Sequence, residues 1–323
     1  MKIIKNLRVS ARTVVFASLG LAAVTALAGA PLAAPSSAPR KTGHESGETV
    51  ARWNRNAISV LLPTNPPELT RSLAMTHIAL HDAANAVRPK YERYAYHITE
   101  DTGADPSAAA AVAAAEVLKH RRPAKAADID ALLAVDLAMV SNPERLQNSI
   151  NVGQAAAAAI IALRANDGST SAATPYTPGT GPGDYQLTAT SVLLPGWGNV
   201  TPFAMAAGNQ FVGNGPHALT SAEYTADYNE VKAYGSATST VRTGEQTAEA
   251  RFWLEIPPTV FNRVAQREII NQDLDLWQAA RGMALTQIAF ADAIISSWNA
   301  KFTYNFWRPV TAIQSAAKKG GRA

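Results

Sequence analysis

Alanine dominates two stretches of the chain, residues 108–118 and 155–159. Side chains that small let helix backbones approach closely, which is useful only where helices pack on helices. The second stretch keeps an apolar face through Ile150, Val152, Ile160, Ile161 and Leu163, so it reads as a packing helix and not as low-complexity filler. Helical periodicity recurs elsewhere. Residues 50–62 run up to Pro63, and in 67–87 Leu69, Leu73, His77, Leu80 and Ala84 share a face that Arg88-Pro89 closes. Further helices are expected at 124–139 and 143–166, and after Pro257-Pro258 through Asn271. Thr220-Ser221-Ala222-Glu223 and Thr243-Gly244-Glu245-Gln246 match capping boxes, in which a hydroxyl and a side-chain carbonyl satisfy two backbone amides at a helix start. The longest periodic segment, about 274–307, is interrupted by Gly282 and ended by Pro309. No strand-like alternation and no internal repeat occur, so the expected class is all-α, a helical bundle. Between the helices, residues 167–218 are rich in Pro, Gly, Thr and Ser and predict a long irregular loop. Such a loop in a compact domain is usually functional or covers something.

The amino terminus has a different character. Lys2, Lys5, Arg8 and Arg12 precede an apolar stretch, 14–28, that ends in the small-x-small pattern Ala26-Leu27-Ala28. This is the signature of a signal peptide, expected over residues 1–28, and it predicts an exported, periplasmic or extracellular protein. The apolar stretch is short for a spanning helix, which needs about 20 residues. Residues 29–48, with Pro31, Pro35 and Pro39, read as a flexible linker. The formal charge of +4 owes four cations to the signal, so the mature chain is near neutral and no nucleic-acid partner is expected. Lys318, Lys319 and Arg322 read as a solvated tail. With no cysteine, disulfides, thiolate metal sites and cysteine nucleophiles are excluded.

The chemistry concentrates near the carboxyl end. Lys301 and Arg308 are seven residues apart, about two turns of helix and roughly 10 Å of rise, which would put them on nearly one face. A planar guanidinium fork and a compact ammonium are suited to gripping a tetrahedral oxyanion. Trp298, Phe302, Tyr304, Phe306 and Trp307 surround them and would exclude water. The bland alternative is an aromatic helix with two snorkelling cations.

Lys301-x6-Arg308-Pro309 resembles the first signature motif of the superfamily that unites vanadium-dependent haloperoxidases and type 2 phosphatidic acid phosphatases. The resemblance to the bacterial haloperoxidase-like branch extends through 279–281, Ala291-Asp292-Ala293, Trp298 and 306–313. It also takes in Ala74-Met75-Thr76-His77, the stretch 81–86, Pro195-Gly196-Trp197-Gly198 and 242–246. It implies a helical domain over 49–323 of the haloperoxidase/acid phosphatase type. It further implies vanadate or phosphate held by Lys301 and Arg308, and a halide pocket bordered by Trp298. The implied reaction is peroxide-driven halide oxidation, with halide and peroxide as substrates. The alternatives are an acid phosphatase acting on a small phosphoester, and a truncated, non-catalytic helical protein. The family pattern continues with a Pro-Ser-Gly-His segment and a later Ser-Arg and Gly-x-His pair, and residues 314–323 do not carry them. On that reading the axial histidine ligand is missing and the domain lacks its C-terminal part. The last helix would then expose its aromatic face, which leaves a homo-oligomer open.

Other candidates are weaker. His77 and His81 stand at i, i+4 and could form half a metal site, but with no third ligand a structural role is the better reading. Asp82 and Asn85 could hydrogen-bond neighbouring helices. Asp292 could be a buried partner of a cation or a polar-face residue. His44, His97, His120 and His217 offer no obvious substitute for a missing histidine. Neither a Gly-x-Ser-x-Gly elbow nor a phosphate-binding Gly-x-x-x-x-Gly-Lys loop occurs.

Overall fold

Helix α2 (Pro66–Val87) is the axle of the molecule, with every residue from Leu69 to Ala86 buried. The computed structural model describes residues 45–99, 103–255 and 257–320. The expected signal peptide, most of the expected linker and the basic tail side chains lie outside the described residues. Around α2 pack α1 (Glu48–Leu61), α3 (Pro106–Arg121), α5 (Pro143–Leu163) and the long α9 (Leu276–Tyr304). Helices α4 (Ala126–Leu137), α6 (Ala222–Gly235), α7 (Gly244–Phe252), α8 (Pro257–Asn271) and α10 (Pro309–Gly320) complete ten among the described residues. None of these helices is long and apolar enough to cross a membrane.

The alanine runs do what their size allows. Helix α3 buries all of residues 106–115 and meets α5 at Gly153, where an added Cβ would lie 2.5 Å from Val112 Cβ and 2.6 Å from the Ala109 carbonyl oxygen. Only a residue without a side chain permits that approach. Three helices start on an Asx-Pro pair. The side chains of Asn65, Asp105 and Asn142 accept first-turn amides, and a proline follows each where no amide is needed. The Thr243–Gln246 capping box forms. That at Thr220 does not: the N-cap is Ser221, which accepts from the Tyr224 amide at 3.1 Å. Asp275 and Gln278 make a second box, at the start of α9.

Two expectations about α9 are corrected. Gly282 does not interrupt it; the residue is exposed and the helix runs through, since one helical glycine costs only about 1 kcal/mol against a heavily buried face. The helix also ends at Tyr304, three residues short of Trp307, because Asn305 adopts the left-handed conformation (φ 47°, ψ 39°).

Buried ion pairs and carboxylates tie the irregular segment 167–218 to the bundle. Asp167 receives Arg71 Nε at 2.7 Å and Arg164 Nε at 3.0 Å, while Arg164 also donates to the Thr201 and Pro202 carbonyls. Asp292, in the middle of α9, accepts the consecutive amides of Phe203, Ala204 and Met205 at 2.6, 2.8 and 2.9 Å. It is therefore neither of the things its position suggested: its charge is met by backbone dipoles. Asp82 on α2 does the same for Tyr94, Ala95 and Tyr96. Further along, the 3-10 turn Pro195–Asn199 lies so close to α9 that a Cβ on Gly198 would fall 2.5 Å from Asn299 Cα.

Candidate functional site: two cations on an aromatic platform

The last turn of α9 presents Trp298, Lys301 and Phe302 towards the irregular segment. Beyond Asn305 the chain is extended and pairs with residues 183–185. The Tyr185 amide donates to the Asn305 carbonyl at 2.8 Å, and the Trp307 amide to the Gly183 carbonyl at 2.8 Å. The Tyr176 hydroxyl donates to Asn305 Oδ1, which fixes the residue that ends the helix. Arg308 emerges from this strip just before α10 begins at Pro309.

The two cations therefore do not share a helix face. They meet because the helix stops, the chain turns at Asn305, and the loop residue Tyr185 packs against both. Lys301 Nζ lies 5.3 Å from the Tyr185 ring centre, 5.1 Å from Phe302 and 5.5 Å from Trp298. Arg308 Cζ lies 5.9 Å from the same Tyr185 ring. Tyr176 packs edge-on against both Tyr185 and Phe302. These contacts are within cation–π range. Among the described residues neither cation forms an ion pair, whereas Arg71, Arg88 and Arg263 all do. Partial burial, and after it the charge of Arg308, hold the Lys301 pKa below the ordinary lysine value. A half-buried ammonium thus has an exposed guanidinium as its like-charged neighbour and, among the described residues, no counterion, an arrangement an anion would relieve.

The expected aromatic ring around the cations is only partly formed: Trp298 and Phe302 flank Lys301, while Phe306 and Trp307 pack towards Tyr224. Trp298, Phe302, Tyr304, Phe306 and Trp307 are half-buried against the irregular segment. Trp298 Nε1 donates to the Leu193 carbonyl at 3.0 Å, Tyr304 bonds the Gly213 carbonyl, and Trp307 Nε1 donates to the Tyr224 hydroxyl at 3.1 Å. Tyr176 and Tyr185 are the site residues that sequence reasoning missed. Their only signal was an aromatic in an otherwise Pro/Gly-rich stretch.

His77 and His81 lie apart from this site. His77 is fully buried against Asn54 Oδ1 at 3.1 Å, and burial pushes its pKa down to about 3. His81 Nε2 bonds the Glu92 carbonyl at 3.0 Å, and Asn85 bonds the His81 ring and carbonyl. Both rings serve packing. Among the described residues no group of three His, Asp or Glu side chains is placed to hold a metal ion.

A family model, the VCPO second helical-bundle domain, matches residues 281–321, the stretch that carries both cations. The vanadium chloroperoxidase of Curvularia inaequalis is 25% identical to the chain, over 78% of the chain and 53% of that protein. These matches support the haloperoxidase superfamily as the group this chain resembles. The chain spans about half the length of this curated relative. The haloperoxidase fold is matched in solved structures as well. A bacterial vanadium-dependent iodoperoxidase superposes with a TM-score of 0.71 at 22% identity, over 86% of the chain and 74% of its own length. A holo-type bacterial vanadium-dependent chloroperoxidase gives 0.56 at 15% identity, over 85% and 71%. At these identities the structures speak for the fold alone.

Proposed function

We propose that Lys301 and Arg308 form one wall of a vanadate-type oxyanion site that serves peroxide-driven halide oxidation. The observation that carries this reading is the meeting at Tyr185 of two cations that form no ion pair among the described residues. The donor set fits the group: a guanidinium fork and an ammonium, short of a counterion, suit the oxygens of a tetrahedral oxyanion. Bound vanadate would supply Lewis-acid activation of peroxide. In this chain Lys301 and Arg308 would hold its oxygens and balance their charge. Tyr176, Tyr185 and Phe302 would keep water from the lysine and so strengthen the attraction. Trp298, beside Lys301, is the residue we assign to the halide side. The relative's name, vanadium chloroperoxidase, supports the substrate class of halide and peroxide. The basic and apolar amino terminus supports export, to be tested by amino-terminal sequencing of the mature protein.

The test compares thermal unfolding with and without orthovanadate or phosphate, and assays vanadate-dependent bromide oxidation beside phosphoester hydrolysis. Bromide oxidation that disappears in Lys301→Ala supports the proposal. Hydrolysis without halide oxidation would move the chain to the phosphatase reading, in which the same cations hold phosphate. The absence of any oxyanion effect would leave a non-catalytic helical protein.

A further inference from the structure

The strip that carries Arg308 has a second face. Consecutive residues of an extended segment point to opposite sides, and Trp307 turns away from the cations into a cleft of about 420 Å³ between α6, α10 and residues 180–182. This volume lies in the range of small-molecule sites, roughly 300–1,000 Å³. Tyr224 and Tyr228, one helical turn apart on α6, form one wall, with ring centres 6.4 Å apart. Trp307 and Pro182 also line the cleft. From α10 the lining takes in the small side chains of Ala312 and Ala316.

We propose that this cleft is a second binding site, for a neutral, planar aromatic small molecule that carries a hydrogen-bond acceptor. Three aromatic rings offer stacking and edge contacts to a flat guest. No charged side chain lines the cleft, so a charged guest would lose hydration without a partner. The acceptor is specified by Tyr224. Its hydroxyl oxygen already accepts from Trp307 Nε1 at 3.1 Å, and among the described residues its own proton has no acceptor. Burial holds that hydroxyl's pKa above the ordinary tyrosine value, so it remains a donor at neutral pH. The site is separate from the cation pair, and its occupancy does not depend on the oxyanion reading.

The probe is acetophenone, with cyclohexyl methyl ketone as the control that keeps the carbonyl and loses the flat ring. Binding to the full chain is followed by calorimetry and by saturation transfer from protein to ligand. Acetophenone should bind at least tenfold more tightly than the saturated ketone. Tyr228→Ala should weaken it at least fivefold and Tyr224→Phe at least threefold, with unfolding temperatures showing that both variants fold. Ala316→Leu, which fills the cleft from α10, should abolish binding and serves as the test if the α6 variants do not fold. Lys301→Met should leave acetophenone binding unchanged, which separates this result from that of the oxyanion site. The proposal is overturned if acetophenone does not bind, if the two ketones bind equally, or if binding survives both Tyr224→Phe and Ala316→Leu.

Discussion

Lys301 and Arg308 face the same ring, that of Tyr185, from 5.3 and 5.9 Å. The residue between them that makes this possible is Asn305, whose left-handed backbone ends α9 and whose carbonyl receives the Tyr185 amide. Asn305→Gly retains the backbone conformation and loses the tether from Tyr176. It should unfold within about 1 kcal/mol of the parent, yet bind orthovanadate at least threefold more weakly. Asn305→Val, which resists a positive φ, should lose roughly 1–2 kcal/mol of stability as well. Chemical denaturation and vanadate-dependent thermal shifts separate the two effects. Equal vanadate binding in all three proteins would remove Asn305 from the site.

Crowding of like charge should be a liability when no oxyanion is bound. Lys301→Met removes one of the two cations from a half-buried corner, and should raise the unfolding temperature by roughly 1–2 °C in buffer without oxyanion. The same variant should lose the stabilisation that orthovanadate gives the parent. A fall in unfolding temperature without ligand would mean that the pair is not mutually repulsive.

The lowered Lys301 pKa carries a sign. In the free protein the unfolded chain holds this proton more tightly, so stability rises with pH between the depressed value and the ordinary one near 10.4. A bound anion favours the charged lysine and should reverse the shift. Vanadate binding measured above neutral pH should therefore take up protons, seen as a buffer-dependent heat in calorimetry. A heat that does not vary with buffer would refute the coupling.

Buried His77 should make the bundle acid-sensitive. Its folded pKa of about 3 lies below the unfolded value near 6.5. The stability tied to its neutral form is complete above pH 6.5 and declines as pH falls towards 3, by about 1.4 kcal/mol per unit within that window. His77→Gln, which can keep a bond to Asn54, should flatten the pH dependence of unfolding between 6 and 4. An unchanged slope would assign the acid sensitivity to other groups.

Asp292 should be costly to remove. Asp292→Ala would leave the buried Phe203 amide unmet, at about 1–3 kcal/mol, and would take the acceptor from the part-buried amides of Ala204 and Met205 as well. We expect a loss of several kcal/mol in denaturant unfolding and faster proteolysis within residues 190–215. Asp292→Asn, with one acceptor oxygen kept, should lie between. A variant as stable as the parent would show that segment 203–205 is held by other contacts.

Much of this architecture was legible in the residues themselves. Periodicity fixes which faces are apolar, and alanine, glycine and Asx-Pro pairs act within a few residues, so the helices, the tight α3–α5 contact and the cation-bearing segment follow from local rules. The capping box at Thr220 and the end of α9 came out differently, because a cap one residue away and a single left-handed Asn305 compete with the pattern at little cost. The cation pair shows the limit most plainly. Spacing placed Lys301 and Arg308 on one helix face, and the fold brought them together by ending the helix between them and supplying Tyr176 and Tyr185 from more than a hundred residues earlier. Contacts across that separation depend on how the irregular segment lies on the bundle, which Asp292 and Arg164 decide largely through bonds to backbone groups that carry no side-chain identity. The sequence by itself determined a helical bundle with an oxyanion-suited segment; only the tertiary structure decided which rings and which bend make that segment a site.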